Sequence, residues 1–360
     1  MYVYYATKKV LLGGINLDLD CLYFEVKENI DRVCFDDLWR GFQPFKFALY
    51  DDYKCFYNGS YIDKPKEFVA NTSVFYEGQH IAIWHVMEPM DPIILATKII
   101  HEMFHAFQNI RGESRFPKEL EALCEYQYDE VNLSLKYEEN RTLLLLLENF
   151  CHEAYLEFLS YRAFRRKKYP YEFRYEASVE EIEGAAQYVE FNALNQLSEE
   201  LFAESIVQLK ERILVAEDVF PIRVRCYDVG TLFFQVLKNN NLLDFEENSD
   251  VLTADRTLSG VHDHSIEIKL NPDIIKGIDR YRINTSQMIR RGIEEGILLE
   301  EGELELLGLN VYDARFFEGN LLSTHFVFYR KDGQEKVQYG DFLIRLDDQK
   351  KVIKILKIKI

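Results

Sequence analysis

His101-Glu102-Met103-Phe104-His105 is the stretch from which the rest of the chain can be ordered. Residues four apart lie on one face of a helix, one turn along. His101 and His105 can therefore hold one metal ion together. Glu102 projects beside that face, where a carboxylate can take a proton from a metal-bound water. Two neutral imidazoles bind a borderline-soft cation without cancelling its charge. A third protein ligand completes such a set, and one position stays open. Without a metal, the same histidines would be ordinary polar groups in a core helix.

The flanks support a helix here. Asp91-Pro92 opens it, since Asp favours the N-cap and Pro the first turn. Ile93, Ile94, Ala96, Thr97, Ile100, Phe104 and Phe107 make an apolar body. The pattern predicts a helix buried on most sides that ends near Asn109 or Gly112. Upstream, residues 1–90 read as strands with one helix. Leu22 to Val26 is strand-like, and Glu28 to Arg40 has helical spacing. Phe45–Tyr50 with Lys54–Tyr57, and Ser73–Tyr76 with His80–Val86, read as hairpins. The last of these strands, just before the motif, is a candidate sheet edge for an extended peptide or an ordinary buried strand.

Downstream, residues 117–169 read as two helices broken near Glu138 to Arg141. The second ends in Arg162, Arg165, Arg166, Lys167 and Lys168 before Tyr169-Pro170. Cations there complement a helix dipole, or alternatively receive a substrate carboxylate. A further helix opens at Ser178, with Glu181 completing a capping box, and carries Glu183-Gly184-Ala185-Ala186. Small residues allow close helix packing, and a carboxylate beside them can reach across. Glu183 is thus a candidate third ligand, with Glu121 and Glu125 as rivals; a solvated acidic face is the plain alternative. Helices are expected from Ser198 to Leu214, through Tyr227-Asp-Val-Gly230, and from Asn271-Pro272 to about Glu295. From Glu303 onward the chain reads as antiparallel strands over 303–309, 321–329, 337–345 and 351–358, with turns at Gly319-Asn320, Asp332-Gly333 and Asp347-Asp348. His262-Asp-His264 is a weak loop metal motif.

Composition bounds the rest. With 360 residues, 48% hydrophobic and 29% charged, the chain has the makings of a substantial folded core. A net charge of −18 argues against nucleic acid or anionic membrane as partners. The scattered Cys21, Cys34, Cys55, Cys124, Cys151 and Cys226 form no CxxC pair and read as free thiols in a reducing compartment. The first residues lack the pattern of a signal peptide, and Leu143 to Leu147 is too short to span a bilayer. A cytoplasmic protein is the expectation.

Together these segments resemble the gluzincins, the thermolysin-like zinc metallopeptidases with two His and one Glu as ligands. Glu183-Gly-x-Ala-x-Tyr188 looks like the stretch that carries their Glu ligand. Tyr227-x-x-Gly230 is similar to the segment bearing the transition-state tyrosine of the aminopeptidase branch. The resemblance covers about residues 73–240. It implies zinc held by His101, His105 and Glu183, Glu102 as general base, and Tyr227, or secondarily Tyr188, as oxyanion donor. The gap from His105 to Glu183 is longer than in compact members, and no Gly-x-Met-Glu-Asn stretch is present. The expected architecture is α+β. A zincin-like catalytic part combines a β-rich segment at 1–90 with a helical segment at 91–250 holding the metal. A helix and antiparallel β extension follow at 251–360. The expected function is a zinc-dependent peptidase acting on a peptide or protein. The alternative is a catalytically silent zincin-like binding module with a structural zinc.

Overall fold

The computed structural model describes residues 18–216, 219–247, 249–261 and 266–359. The His262–His264 motif lies outside the described residues. The architecture is mixed α+β, with a mainly helical body between two sheets.

Leu19, Tyr23, Val26 and Ile30 recur every three or four residues and are buried, so α1 (Leu19–Asp31) is a helix. The strand expected at Leu22–Val26 does not form, and the helix expected from Glu28 is only the end of α1 followed by α2 (Phe35–Leu38). The β-prone composition of that segment yields to burial of the stripe, where Tyr23 stacks on Phe47 at 4.3 Å. The first sheet contains β1 (Lys46–Tyr50), β2 (Lys54–Tyr57), β3 (Ser60–Asp63), β4 (Thr72–Tyr76) and β5 (Gln79–His85), ordered β3-β2-β1-β5-β4. Both expected hairpins are present. However, β5 also pairs in parallel with β1, so it is an interior strand and β4 is the edge. The fully buried Ile81-Ala82-Ile83 run is the physical sign of a strand covered on both faces.

α3 (Pro92–Ile110) carries the motif and packs against α1, β4 and β5. The Asp91 carboxylate caps it by accepting from the Ile93 amide at 2.8 Å. Next come α4 (Glu119–Glu125), α5 (Glu130–Glu148), α6 (His152–Lys168) and α7 (Pro170–Val179). Residues 117–169 hold three helices and not two, with breaks at 126–129 and 149–151 and none near 138–141. Glu138 and Arg141 form a 2.7 Å pair one turn apart within α5, so that charged patch decorates a helix rather than ending it.

α7 does not end at a cap. Its backbone runs through Ser178 into a π-turn, Glu180–Gly184, and on into α8 (Ala185–Leu197). Pro170 begins this run, and Glu181 bonds to Arg115 and Thr253 instead of closing a capping box at Ser178. Then follow α9 (Glu199–Leu214), α10 (Ile222–Asn239), α11 (Thr253–Thr257) and α12 (Pro272–Glu295). The π-turn touches α10 backbone to backbone. A Cβ on Gly184 would sit 2.6 Å from the Gly230 Cα, and one on Gly230 would sit 2.8 Å from the Gly184 Cα.

Beneath the turn lies a buried ionic cluster. Lys136 pairs with Glu139 and Glu180 at 2.9 and 2.8 Å. Arg165 pairs with Glu139 and Glu176 at 2.8 and 2.6 Å, and Arg162 with Glu180. Arg162 and Arg165 are therefore not solvated helix-end cations; the outer Arg166 pairs with Asp255 nearer the surface. The cluster holds as many cations as anions, the condition under which buried charges are tolerated.

The second sheet is antiparallel: β6 (Ile297–Leu309), β7 (Arg315–Phe317), β8 (Asn320–Ser323), β9 (Phe326–Lys331), β10 (Gln334–Tyr339), β11 (Asp341–Leu346) and β12 (Val352–Ile358), ordered β10-β9-β6-β12-β11-β8-β7. The strands expected at 321–329 and 337–345 are each split in two. His325 and Gly340, at φ 68° and 128°, turn the backbone where an unbroken strand was read. One face of this sheet buries Phe342, Ile344 and Ile355 with Leu120 and Leu123 of α4. The other buries Leu322 and Leu343 under Ile289 of α12. The first half of α12 packs Ile274 and Ile278 beside Tyr126, Leu133 and Val179, so one helix bridges the helical body and the sheet. All six cysteines are free thiols. No helix among the described residues is long and apolar enough to cross a membrane.

Two outcomes follow. Gly184→Ala forces the π-turn off α10 and costs about 1–3 kcal/mol, read by urea unfolding; unchanged stability would remove the close contact as a constraint. The cluster also sets an acid limit. Burial pushes the Glu139 pKa up, but Lys136, Arg165 and Arg162 outweigh it and hold it down at about 2, against an ordinary 4.5. A carboxyl with a depressed native pKa adds stability above its unfolded pKa and loses it as pH falls towards the native one. Stability should therefore fall between about pH 4.5 and 2 less steeply in Glu139→Gln than in the wild type, as measured by denaturant midpoints.

Candidate metal centre

α3 presents His101 and His105 on one face, and the π-turn brings Glu183 to meet them. The His101 and His105 Nε2 atoms are 3.2 Å apart. The Glu183 Oε2 lies 3.2 Å from the His105 Nε2 and 3.8 Å from the His101 Nε2. A triangle with sides of 3.2, 3.2 and 3.8 Å has its equidistant point about 2.0 Å from each corner, which is the Zn–N and Zn–O bond length. Among the described residues, no fourth His, Cys, Asp or Glu joins this group.

The outer atoms of the same side chains are also engaged. The His105 Nδ1 lies 2.8 Å from the Gln108 Oε1, and the Gln108 amide donates to the Ile182 carbonyl within the π-turn. The His101 Nδ1 lies 3.0 Å from the Glu190 Oε2, although off the ideal N–H direction. Acceptors at both Nδ1 positions favour the Nδ1–H tautomer, which leaves both Nε2 lone pairs facing the centre. Glu190 in turn pairs with Lys98 at 3.3 Å. The Arg223 Nη2 donates to the Glu183 Oε1 at 2.9 Å, leaving Oε2 to face the histidines.

The electrostatics agree with a cation-seeking site. Burial disfavours charge on His101, but Glu183 and Glu190 overcome it and push its pKa up to about 10. His105 is raised in the same way, against burial, by Glu183. Burial opposes ionisation of Glu183, yet His105 and Arg223 hold it well below the usual carboxylate range. Glu190 is held at about 2 by Lys98 and His101, again against burial. Without a cation, negative charge concentrates here and the histidines take up protons. A divalent ion bound there would replace those protons with a fixed charge.

Glu102 adjoins this group, is buried, and has its pKa raised by that burial. The Tyr227 hydroxyl accepts from Arg223 and donates to the Tyr312 hydroxyl at 3.1 Å. Tyr312 sits between β6 and β7, so the C-terminal segment reaches this site. Its pKa is pushed up to about 12, by burial and then by Glu183. Tyr188 lies elsewhere, in an aromatic cluster with Trp39, Phe234 and Phe245. Its position, five residues past Glu183, turns its ring toward the core instead of the histidines. The rival ligands are also placed apart: Glu121 pairs with Lys118 and Glu125 with Lys350, both at the surface.

Gln108, Glu190, Arg223 and Tyr312 were not read from the sequence. Gln108 stands three residues after His105 and Glu190 seven after Glu183, helical spacings that hold a usable signal. Nothing local marks Tyr312, which tertiary packing alone delivers. Comparison with protein-family models, curated proteins and solved structures returned no match.

If Glu190 sets the His101 tautomer, Glu190→Gln should weaken zinc affinity about 10- to 100-fold, measured by competition with a chromophoric chelator. An affinity equal to that of the wild type would remove Glu190 from the metal's support.

Proposed function

We propose that the chain is a zinc-dependent hydrolase of peptide bonds. The observation that carries this proposal is the convergence of His101, His105 and Glu183 at bonding distance from one point, with no fourth protein ligand among the described residues. A closed structural site takes four protein ligands, whereas a catalytic one keeps a position open. A divalent cation supplies Lewis acidity there and acidifies a water.

The residues then divide the work. Gln108 and Glu190 orient the imidazoles, and Arg223 steers the ligand carboxylate. Glu102 takes the proton of the attacking water and returns it to the leaving nitrogen. Its position beside both histidines, on the same helix, is what fits it to that role. Because Tyr227 donates to Tyr312, the Tyr312 hydroxyl keeps its own proton for a developing oxyanion. An extended peptide has a main-chain docking strip in β4, the edge strand that packs against α3.

The test combines metal content with turnover. Glu102→Gln should keep about one zinc per chain and lose cleavage of a peptide library by roughly 10²- to 10⁴-fold. Cleavage at the wild-type rate by this variant would sink the mechanism. A zinc-loaded wild type that cleaves nothing, with or without chelator, would leave the metal as a support for binding.

A further inference from the structure

The face of the second sheet that α12 covers is not covered to its end. Where α12 stops, Ile293, Leu298, Leu343, Ile353 and Leu356 line an open groove of about 710 Å³. That volume lies in the range of small-molecule sites, about 300–1,000 Å³. Ile293 and Leu298 are 46% and 51% exposed, so the groove keeps apolar surface in water.

One rim of the groove is polar and follows the strand register. Asn320 on β8 stands opposite Arg345 on β11, Arg345 opposite Lys354 on β12, and Lys354 opposite Glu301 on β6. All four line the groove. Lys354 is partly neutralised by Glu301 at 3.3 Å. Arg345 has no acidic partner among the described residues. Asn320 is 4% exposed, and its Nδ2 donates to the Glu318 carbonyl at 2.8 Å while its Oδ1 has no partner. That oxygen is an acceptor, so it takes no part in holding an anion, and the positive groups of the rim are Arg345 and Lys354.

The next row down each strand is apolar. Leu343 stands opposite Leu356, and Leu356 opposite Leu298. The groove thus sets an unpaired guanidinium at the edge of an aliphatic floor, in a chain whose net charge is −18. Such local inversion of charge fits an anionic head with an apolar body.

We propose that this groove binds a small amphiphilic carboxylic acid, its carboxylate on Arg345 and Lys354 and its chain along Leu356, Leu298 and Ile293. The overall negative charge disfavours an anionic membrane as the occupant, and the groove's size matches a single molecule. The site is separate from the metal centre, and the proposal stands whether or not the chain is a hydrolase.

Isothermal titration of the full chain with decanoate, decanol and decyltrimethylammonium, each kept below its micelle threshold, tests this. Decanoate should bind saturably at one site, with decanol and the ammonium at least about tenfold weaker. Arg345→Gln, at an exposed position, should weaken decanoate about tenfold and leave decanol unchanged. Leu298→Asp should abolish saturable binding of decanoate. Equal binding of the three probes, or no binding of decanoate, would overturn the proposal. So would undiminished decanoate binding in Arg345→Gln, which places the acid elsewhere, the metal cluster included.

Discussion

Contact between two glycine backbones, Gly184 on the π-turn and Gly230 on α10, fixes the geometry of the centre of this molecule. The turn is one residue wider than an α-helical turn, so it spreads its glutamates around the axis. Glu180 enters the buried ionic cluster, Glu181 meets Arg115 and Thr253, and Glu183 meets the histidines. A regular helix with the same sequence would direct these side chains differently. Because neither glycine has room for a Cβ, the turn is held at one depth against α10, and the reach of Glu183 follows from that depth.

The surrounding groups reinforce this placement by giving each polar side chain two partners. Glu183 offers one oxygen to the histidines and the other to Arg223. Glu190 joins His101 to Lys98, and Gln108 joins His105 to the π-turn carbonyl of Ile182. The two halves of the site are therefore tied together without reference to an ion. Such preorganisation matters for a divalent cation, since carboxylates and imidazoles that are already converged need little reordering to bind.

Much of this was legible in the sequence because it is local. The spacing of His101 and His105, the cap at Asp91, the hairpins and the small residues after Glu183 each follow from a short-range rule, and the structure realises them. What failed depends on context. Ser178 and Glu181 have capping-box spacing, but a proline eight residues upstream had already begun the helix. Leu22 to Val26 is β-prone by composition but is held helical by the partners of its buried stripe. Arg162 and Arg165 looked like exposed helix-end cations because their anionic partners lie on α5, α7 and the π-turn, far along the chain or on another element. Tyr312 had no local signal at all. Whatever depends on two distant segments meeting was visible only once they had met.

The ionic cluster constrains how this chain can diverge. Its buried cations and anions balance, and each anion answers to more than one cation. Losing one member strands a buried charge, whereas replacing a matched pair with apolar side chains of similar volume does not. Positions 136, 139, 162, 165, 176 and 180 are thus expected to drift in concert. Among descendants of this sequence, paired changes at these positions should therefore outnumber lone ones.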